Sequence, residues 1–456
     1  MKTANLVKVL KSIAGHVLGN LLVGLISLGT GTPLAWGQVA SPEVYDALKA
    51  GAWARVVIAL QEPNASIDDR PRWNSEIGRV QSKVLASLTP SDFKPTHQWA
   101  SVSALAGQVS QSGLTKLLAN PDVIRVDLDT GGSGGLFISV PLIQGDQMHV
   151  LGFTGNGVVV AVLDSGLQTD HPDLAGALIA EECFCTLSDG RGCCPNGSTR
   201  QSGPGSASDD VGHGTNVTGI IVSAGGVSSV GVAPSAKIVA IKVLDFNNSF
   251  AATAQVVSAL DWIFNNRPDV RVINMSLGTF AMFPGICDNA TAFTMAFARA
   301  VTMLKNRGIT TFASSGNQSS GTQMEAPACT SNTIAVGAVY KADVGPFSFG
   351  CTDSTTETDQ VTCFTNSNSK LELMAPGAPI VSTGLGGGFE SNSGTSFASP
   401  HAAGGAALLL EANPTLTPDQ IKAALRNSSV QVTDPKNDLT FPRINLLDAL
   451  DAVSTP

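Results

Sequence analysis

The apolar positions of this chain change texture partway along. Before about residue 130 they follow two alternating periods. "ARVVIAL" (54–60) predicts a strand. "RWNSEIGRVQSKVLASL" sets Trp73, Ile77, Val80, Val84 and Leu88 at three- and four-residue steps, the spacing of one helix face. "HQWASVSALAGQV" reads as one or two strands, "GLTKLLANP" as a short helix stopped at Asn120-Pro121, and "VIRVDLD" as a strand. The order β-α-β-β-α-β is that of a small ferredoxin-like α+β unit. "TGGSGG", Thr130 to Gly135, then predicts a flexible, cleavable hinge.

From about Phe137 the apolar runs become short and nearly continuous: "GVVVAVLD", "KIVAIKVLD", "VRVINMS", "ITTFASS" and "TIAVGAV". Such runs suit strands covered on both faces. Helical segments are predicted between and after them, at about 214–224, 252–266, 290–307 and 396–412. Strand and helix alternate, which predicts an α/β fold: a mostly parallel sheet with helices on both faces. Sites in such sheets gather at the carboxyl ends of the strands. Polar and glycine residues stand at those ends: Asp164 after "VAVL", Ser276-Leu277-Gly278 after "VINM", and Ser315-Gly316-Asn317 after "TTFAS".

Composition narrows the possible partners. The 456 residues include 27 basic and 36 acidic ones with no basic run, which argues against nucleic acid. Lys2, Lys8 and Lys11 precede an apolar run from Val17 to Leu28, followed by small residues up to Gly37. That is the layout of a secretory signal peptide. The rival is a membrane anchor, but Gly19, Asn20 and Gly24 interrupt the run and leave it short of a span. Eight cysteines fit an exported protein. Cys183, Cys185, Cys193 and Cys194 cluster without a neighbouring histidine, which favours two local disulfides over zinc and leaves their pairing open. Cys351 with Cys363 would close a short loop, and Cys287 with Cys329 a longer one.

Candidate chemistry centres on "SNSGTSFASPHAAGG". Ser396 would start a helix, where backbone N–H groups lack partners and face an incoming carbonyl. Pro400 cannot donate to the carbonyl of Ser396. A serine hydroxyl needs a base, a group to hold the base, and donors for an oxyanion. His213, between Gly212 and Gly214 at the head of an apolar helix, is the candidate base. His401 lies one turn beyond Ser396 on the same helix and is not. Asp164, at the end of an apolar strand, is the candidate partner of His213, and Asn317 the candidate amide donor.

Order and local sequence together resemble the subtilisin family of secreted serine proteases. "VVVAVLDSGL" is similar to that family's Asp motif, "GHGTNVTG" to its His motif, "SSGN" to its oxyanion Asn and "SGTSFASPHAAG" to its Ser motif. "NMSLG" resembles the strand that pairs with substrate, and "VGVAPSA" and "MAPG" match family landmarks. The resemblance covers about residues 137–450. It implies a catalytic triad of Asp164, His213 and Ser396, and an oxyanion hole from Asn317 and the N–H of Ser396. It also implies substrate pairing along Ser276, Leu277 and Gly278.

The layout it implies is a signal peptide over 1–37, an inhibitory and chaperoning propeptide over 38–130, a processing hinge over 131–136 and a peptidase domain over 137–456. Protein or peptide substrates, the chain's own propeptide as inhibitor, a monomer without stable membrane association, and a secreted or periplasmic location follow. The chemistry needs no cofactor or metal. "SAGGVSSVGVAP" lacks the Asn-rich loop that gives many relatives a calcium site, so calcium is not supported there. Phe397, Asn216 and Thr218 replace commoner residues beside the site. The insertion "CFCTLSDGRGCC" is expected to form a disulfide-tied loop at the rim of the cleft. Glu325 is the only charge in "NQSSGTQMEAPAC" after Asn317, which suggests an apolar or broad substrate preference.

Three rival readings arise from the same sequence. Two D-[ST]-G triplets, at Asp129 and Asp164, suggest an aspartic protease, but they lie too close together to head separate lobes. A lipase would need G-x-S-x-G, and the only match is the hinge itself. A catalytically silent secreted binding protein on the same fold is the alternative from another class.

Overall fold

The runs ending at Asp164, Met275 and Ser314 lie side by side in one eight-stranded sheet. In the computed structural model, which describes residues 39–129, 132–134 and 139–454, its strand order is Leu373–Ala378, Ile334–Tyr340, Thr310–Ser314, Val270–Met275, Val159–Asp164, Lys237–Lys242, Leu178–Phe184 and Arg200–Ser202. Every pair is parallel except the last. The signal segment expected over 1–37 lies outside the described residues.

Apolar residues on both faces of the central strands explain the double cover. Val160 and Val162 face the helices His213–Val222 and Thr395–Ala412, while Ala161 and Leu163 face Thr253–Asn266 and Ala292–Asn306. The helix Thr395–Ala412 is buried from Thr395 to Leu410, and a helix apolar all round belongs inside. Its small residues are required there. A β-carbon on Gly404 would stand 2.6 Å from Cβ of Val232.

The N-terminal residues form a separate five-stranded sheet, in the order Val39–Ala40, Val123–Leu128, Ala54–Leu60, Ala104–Val109 and Phe93–Gln98. With helices Arg70–Ala86 and Gln111–Leu118 this gives the β-α-β-β-α-β succession expected from the periodicity. The short first strand and the helix Pro42–Ala50 were not foreseen. Val56, Ile58 and Leu105 pack among this unit's own apolar residues, while Val57, Ala59, Trp99 and Ala106 join the core around Thr253–Asn266 and Ala292–Asn306.

Of the expected hinge, residues 132–134 are described and the rest lie outside the described residues. Gly132–Gly134 is a strand, paired antiparallel with Leu277–Thr279 on one side and Ser249–Phe250 on the other, so its backbone has ladder partners on both sides. All four disulfides form: Cys183–Cys194, Cys185–Cys193, Cys287–Cys329 and Cys351–Cys363.

Candidate active site

Asp164 ends its strand beside the head of the helix His213–Val222. Nδ1 of His213 donates to Oδ1 of Asp164 at 2.5 Å, and both side chains are about 1% exposed. Since a carboxylate only accepts, this bond fixes the proton on Nδ1 and leaves Nε2 as the basic nitrogen. Ser165 N donates to the same Oδ1 at 2.7 Å. The glycines around His213 have a reason different from substrate approach. Gly212 takes φ 96°, and a β-carbon on Gly214 would collide with the carbonyl of Gly166.

Asp209 is the residue that holds this corner, and the sequence reading passed over it. Its Oδ1 accepts from Ser165 Oγ (2.8 Å), Val211 N (3.0 Å) and Gly212 N (2.9 Å). Its Oδ2 accepts from the N–H and hydroxyl of Thr215. Burial pushes its carboxyl up, but these donors outweigh it and hold it below the ordinary carboxylate range. It caps the helix that carries His213 and ties it to the residue after Asp164. The only available signal was the paired acid in "DDVGHG", which does not say which Asp turns inward.

Ser396 stands in the first turn of its helix and is 1% exposed. Its Oγ lies 3.0 Å from the carbonyl of Ser276, as a donor. Pro400 leaves the carbonyl of Ser396 without its helical donor, and the hydroxyl of Ser276 supplies one. Asn274 then donates to Ser276 Oγ at 3.0 Å and accepts from Ser399 Oγ at 2.7 Å. The next residue, Phe397, meets the ring of His213 edge-on at 5.6 Å between centroids.

Asn317 is anchored through its oxygen, which accepts from Thr395 N (2.8 Å) and Thr395 Oγ1 (3.0 Å). That orientation leaves the amide N–H₂ as the group it can offer to a ligand. Ser276, Leu277 and Gly278 run from this point into the pairing with Gly132–Gly134. The structure therefore brings Asp164, His213, Ser396, Asn317 and Ser276–Gly278 to one end of the sheet. Thr186, Ser188 and Asp189 of the disulfide-tied loop share a groove of about 800 Å³ with Phe280 and Ala281, just past Ser276–Gly278, and with Trp53, Arg55 and Leu128 of the N-terminal unit.

Two of the other described histidines, His401 and His171, have structural partners. His401 donates from Nδ1 to the Phe397 carbonyl at 2.7 Å and accepts from Ser139 N at Nε2, and burial pushes its pKa down to about 4. His171 donates to the carbonyl of Gly388 and accepts from Asp173 N. Burial raises Asp173, but N–H donors from Ser228, Val227 and Gly226, with the hydroxyl of Ser223, outweigh it and hold its carboxyl low. The loop "SAGGVSSVG" thus stabilises this carboxylate, mostly with its own backbone N–H groups. Among the described residues no three potential metal-ligating side chains cluster, and no helix is long and apolar enough to cross a membrane.

A family model described as the subtilase family matches residues 155–443. Subtilisin E of Bacillus subtilis (strain 168) is 32% identical over 343 residues, covering 74% of this chain and 78% of that protein. An alkaline protease of Shouchella clausii is 30% identical over 353 residues, 76% of this chain and 80% of its own. A subtilisin of Bacillus pumilus is 34% identical over 291 residues, 63% and 89% respectively.

Proposed function

The chain belongs to the subtilase family and is a serine-type endopeptidase, and from that premise we propose that Asp164, His213 and Ser396 are its catalytic triad. The observation that carries the assignment is the buried His213–Asp164 bond, on a helix head capped by Asp209. Ser396 Oγ attacks the peptide carbonyl while Nε2 of His213 takes its proton. Asp164 holds the tautomer and stabilises the imidazolium. The Asn317 amide and the N–H of Ser396 receive the oxyanion. His213 returns the proton to the departing amine, leaving an acyl-enzyme. Water, deprotonated by the same nitrogen, then releases the acid and restores Ser396.

The chain acts as a secreted, self-processing zymogen. Residues 38–130 are its propeptide, inhibiting in cis until the hinge between Leu128 and Leu136 is cut. The antiparallel register of Gly132–Gly134 against Leu277–Thr279 supports this, since an extended peptide added to a sheet edge gains backbone bonds regardless of its side chains. Helix capping supports it too. Asp129 accepts from Thr253 Oγ1 (2.6 Å) and Ala254 N (3.3 Å), and Asp127 accepts from Ala292 N. Each side chain accepts hydrogen bonds at the N-terminal end of a peptidase helix. Four disulfides and the leader sequence support export. The test of processing is Ser396→Ala, which should accumulate as the uncut precursor. Cutting at the normal rate would refute self-cleavage.

A further inference from the structure

Glu325 is a fully buried acid that the mechanism does not use. Its strand, Met324–Glu325, is locked behind the substrate-pairing segment. Thr279 N donates to the carbonyl of Ala326 at 2.9 Å, Ala326 N donates to Thr279 Oγ1 at 3.1 Å, and Met282 pairs with Glu325. From there the side chain runs between two glycines. A β-carbon on Gly278 would collide with its Oε2, and one on Gly316 would come within 2.9 Å of its Cδ. Gln318 Nε2 donates to its Oε1 at 2.5 Å, and Asn366 Nδ2 donates to the Gln318 oxygen at 2.5 Å. The carboxyl is thus fixed in the slot between Ser276–Gly278 and Ser315–Asn317.

That slot has a definite relation to the scissile bond. A substrate in the register of Gly132–Gly134 places one residue opposite Gly278, the next opposite Leu277 and the following one opposite Ser276. The carbonyl of Ser276 is 3.0 Å from Ser396 Oγ, and Asn317 closes the other side. The residue opposite Ser276 is therefore the one whose carbonyl is attacked, and its side chain enters between the two glycine-bearing segments. Two facing glycines make room for a side chain from outside. Here a side chain of the enzyme already occupies that room.

Resting on the assignment of Ser396 and of Ser276–Gly278 above, we propose that Glu325 is a specificity-determining residue that fills the pocket for the residue before the scissile bond and restricts it to glycine, alanine and serine. This revises the apolar or broad preference expected from the sequence, where Glu325 counted only as a charge. Burial raises the Glu325 carboxyl to about 8, so near neutral pH the plug carries its proton and needs no counter-ion.

The test uses the processed enzyme, first titrated with a serine-directed acylating inhibitor and mapped for the adduct. Peptides differing only at the residue before the cut are then compared by kcat/KM for the wild type, Glu325→Gly and Glu325→Gln. The wild type should favour Gly, Ala and Ser over Leu, Phe and Arg by about tenfold or more. Glu325→Gly should raise Leu and Phe by a similar factor while Ala changes little. Glu325→Gln, which keeps the bulk, should retain the wild-type ranking. Wild-type preference for Lys or Arg, lost in Glu325→Gln, would overturn the proposal by making the carboxylate a counter-charge. Best cleavage after Leu or Phe by the wild type would overturn it by showing the slot open. Absence of an adduct on Ser396 would instead refute the triad assignment, and the proposal with it.

Discussion

At the scale of single residues, two buried carboxyls respond to pH in opposite directions. Asp209 is held below its ordinary range by five donors, so its contribution to stability is present at neutral pH and is lost on acidification below the unfolded carboxylate range. Glu325 is raised from 4.5 to about 8, so between those values the folded chain keeps a proton that the unfolded chain has released. Its contribution falls as pH rises through that window. Introduced into Ser396→Ala to prevent autolysis, Glu325→Gln should gain stability relative to its parent between pH 5 and 8, on the order of 1 kcal/mol per pH unit in chemical denaturation. A pH-independent difference would contradict the shift. Asn317→Leu should lower kcat with KM little moved, on the order of 10²–10³, a scale known for a subtilisin itself. A change confined to KM would count against its oxyanion role. The residues proposed for the chemistry could be picked out because their motifs carry both order and local sequence. Asp209 and Glu325 were not, because their roles depend on which backbone groups the fold brings to them.

At the scale of elements, strands with covered faces announced themselves and those at or next to the sheet edges did not. Leu178–Phe184 contains Glu181 and Glu182, which break the apolar run. Glu182 is buried nonetheless, accepting from Arg200 (3.1 Å) and Ser202 (2.7 Å) of the edge strand. Leu373–Ala378, at the other edge, contains Pro376 and Gly377, residues that a sheet edge tolerates. Helices were legible to within a few residues from their spacing and ends. The small face of the Ser396 helix makes a direct prediction. Gly404→Ala should destabilise by about 1–3 kcal/mol, since Val232 must give way in a packed core. An unchanged denaturation midpoint would show that the helix has slack. Breaking Cys287–Cys329, which spans 42 residues, should cost about 4 kcal/mol by the chain-entropy argument. A cost near zero would mean that the reduced chain retains the loop.

For the whole molecule, the N-terminal unit is fastened to the peptidase by side chains that no single-segment reading could join. Trp99 Nε1 donates to Ser258 Oγ at 2.8 Å, Ser101 N donates to Asp261 Oδ1 at 3.0 Å, and Arg299 donates to the carbonyls of Leu60 and Ser103 at 2.9 Å. The β-α-β-β-α-β order was readable, but the face it presents to the two helices was not, because that requires both partners in place. Asp127→Ala with Asp129→Ala should speed release of inhibition after processing, as two helix ends lose their side-chain acceptors. An unchanged lag before activity appears would remove capping from the account. The central claim is that this fold serves one nucleophile. Intact-mass and peptide-mapping analysis of the processed enzyme after a serine-directed acylating inhibitor tests it most directly. One covalent adduct, on Ser396 and lost in His213→Ala, is the expected result. An unmodified Ser396 or an adduct on another residue would contradict it.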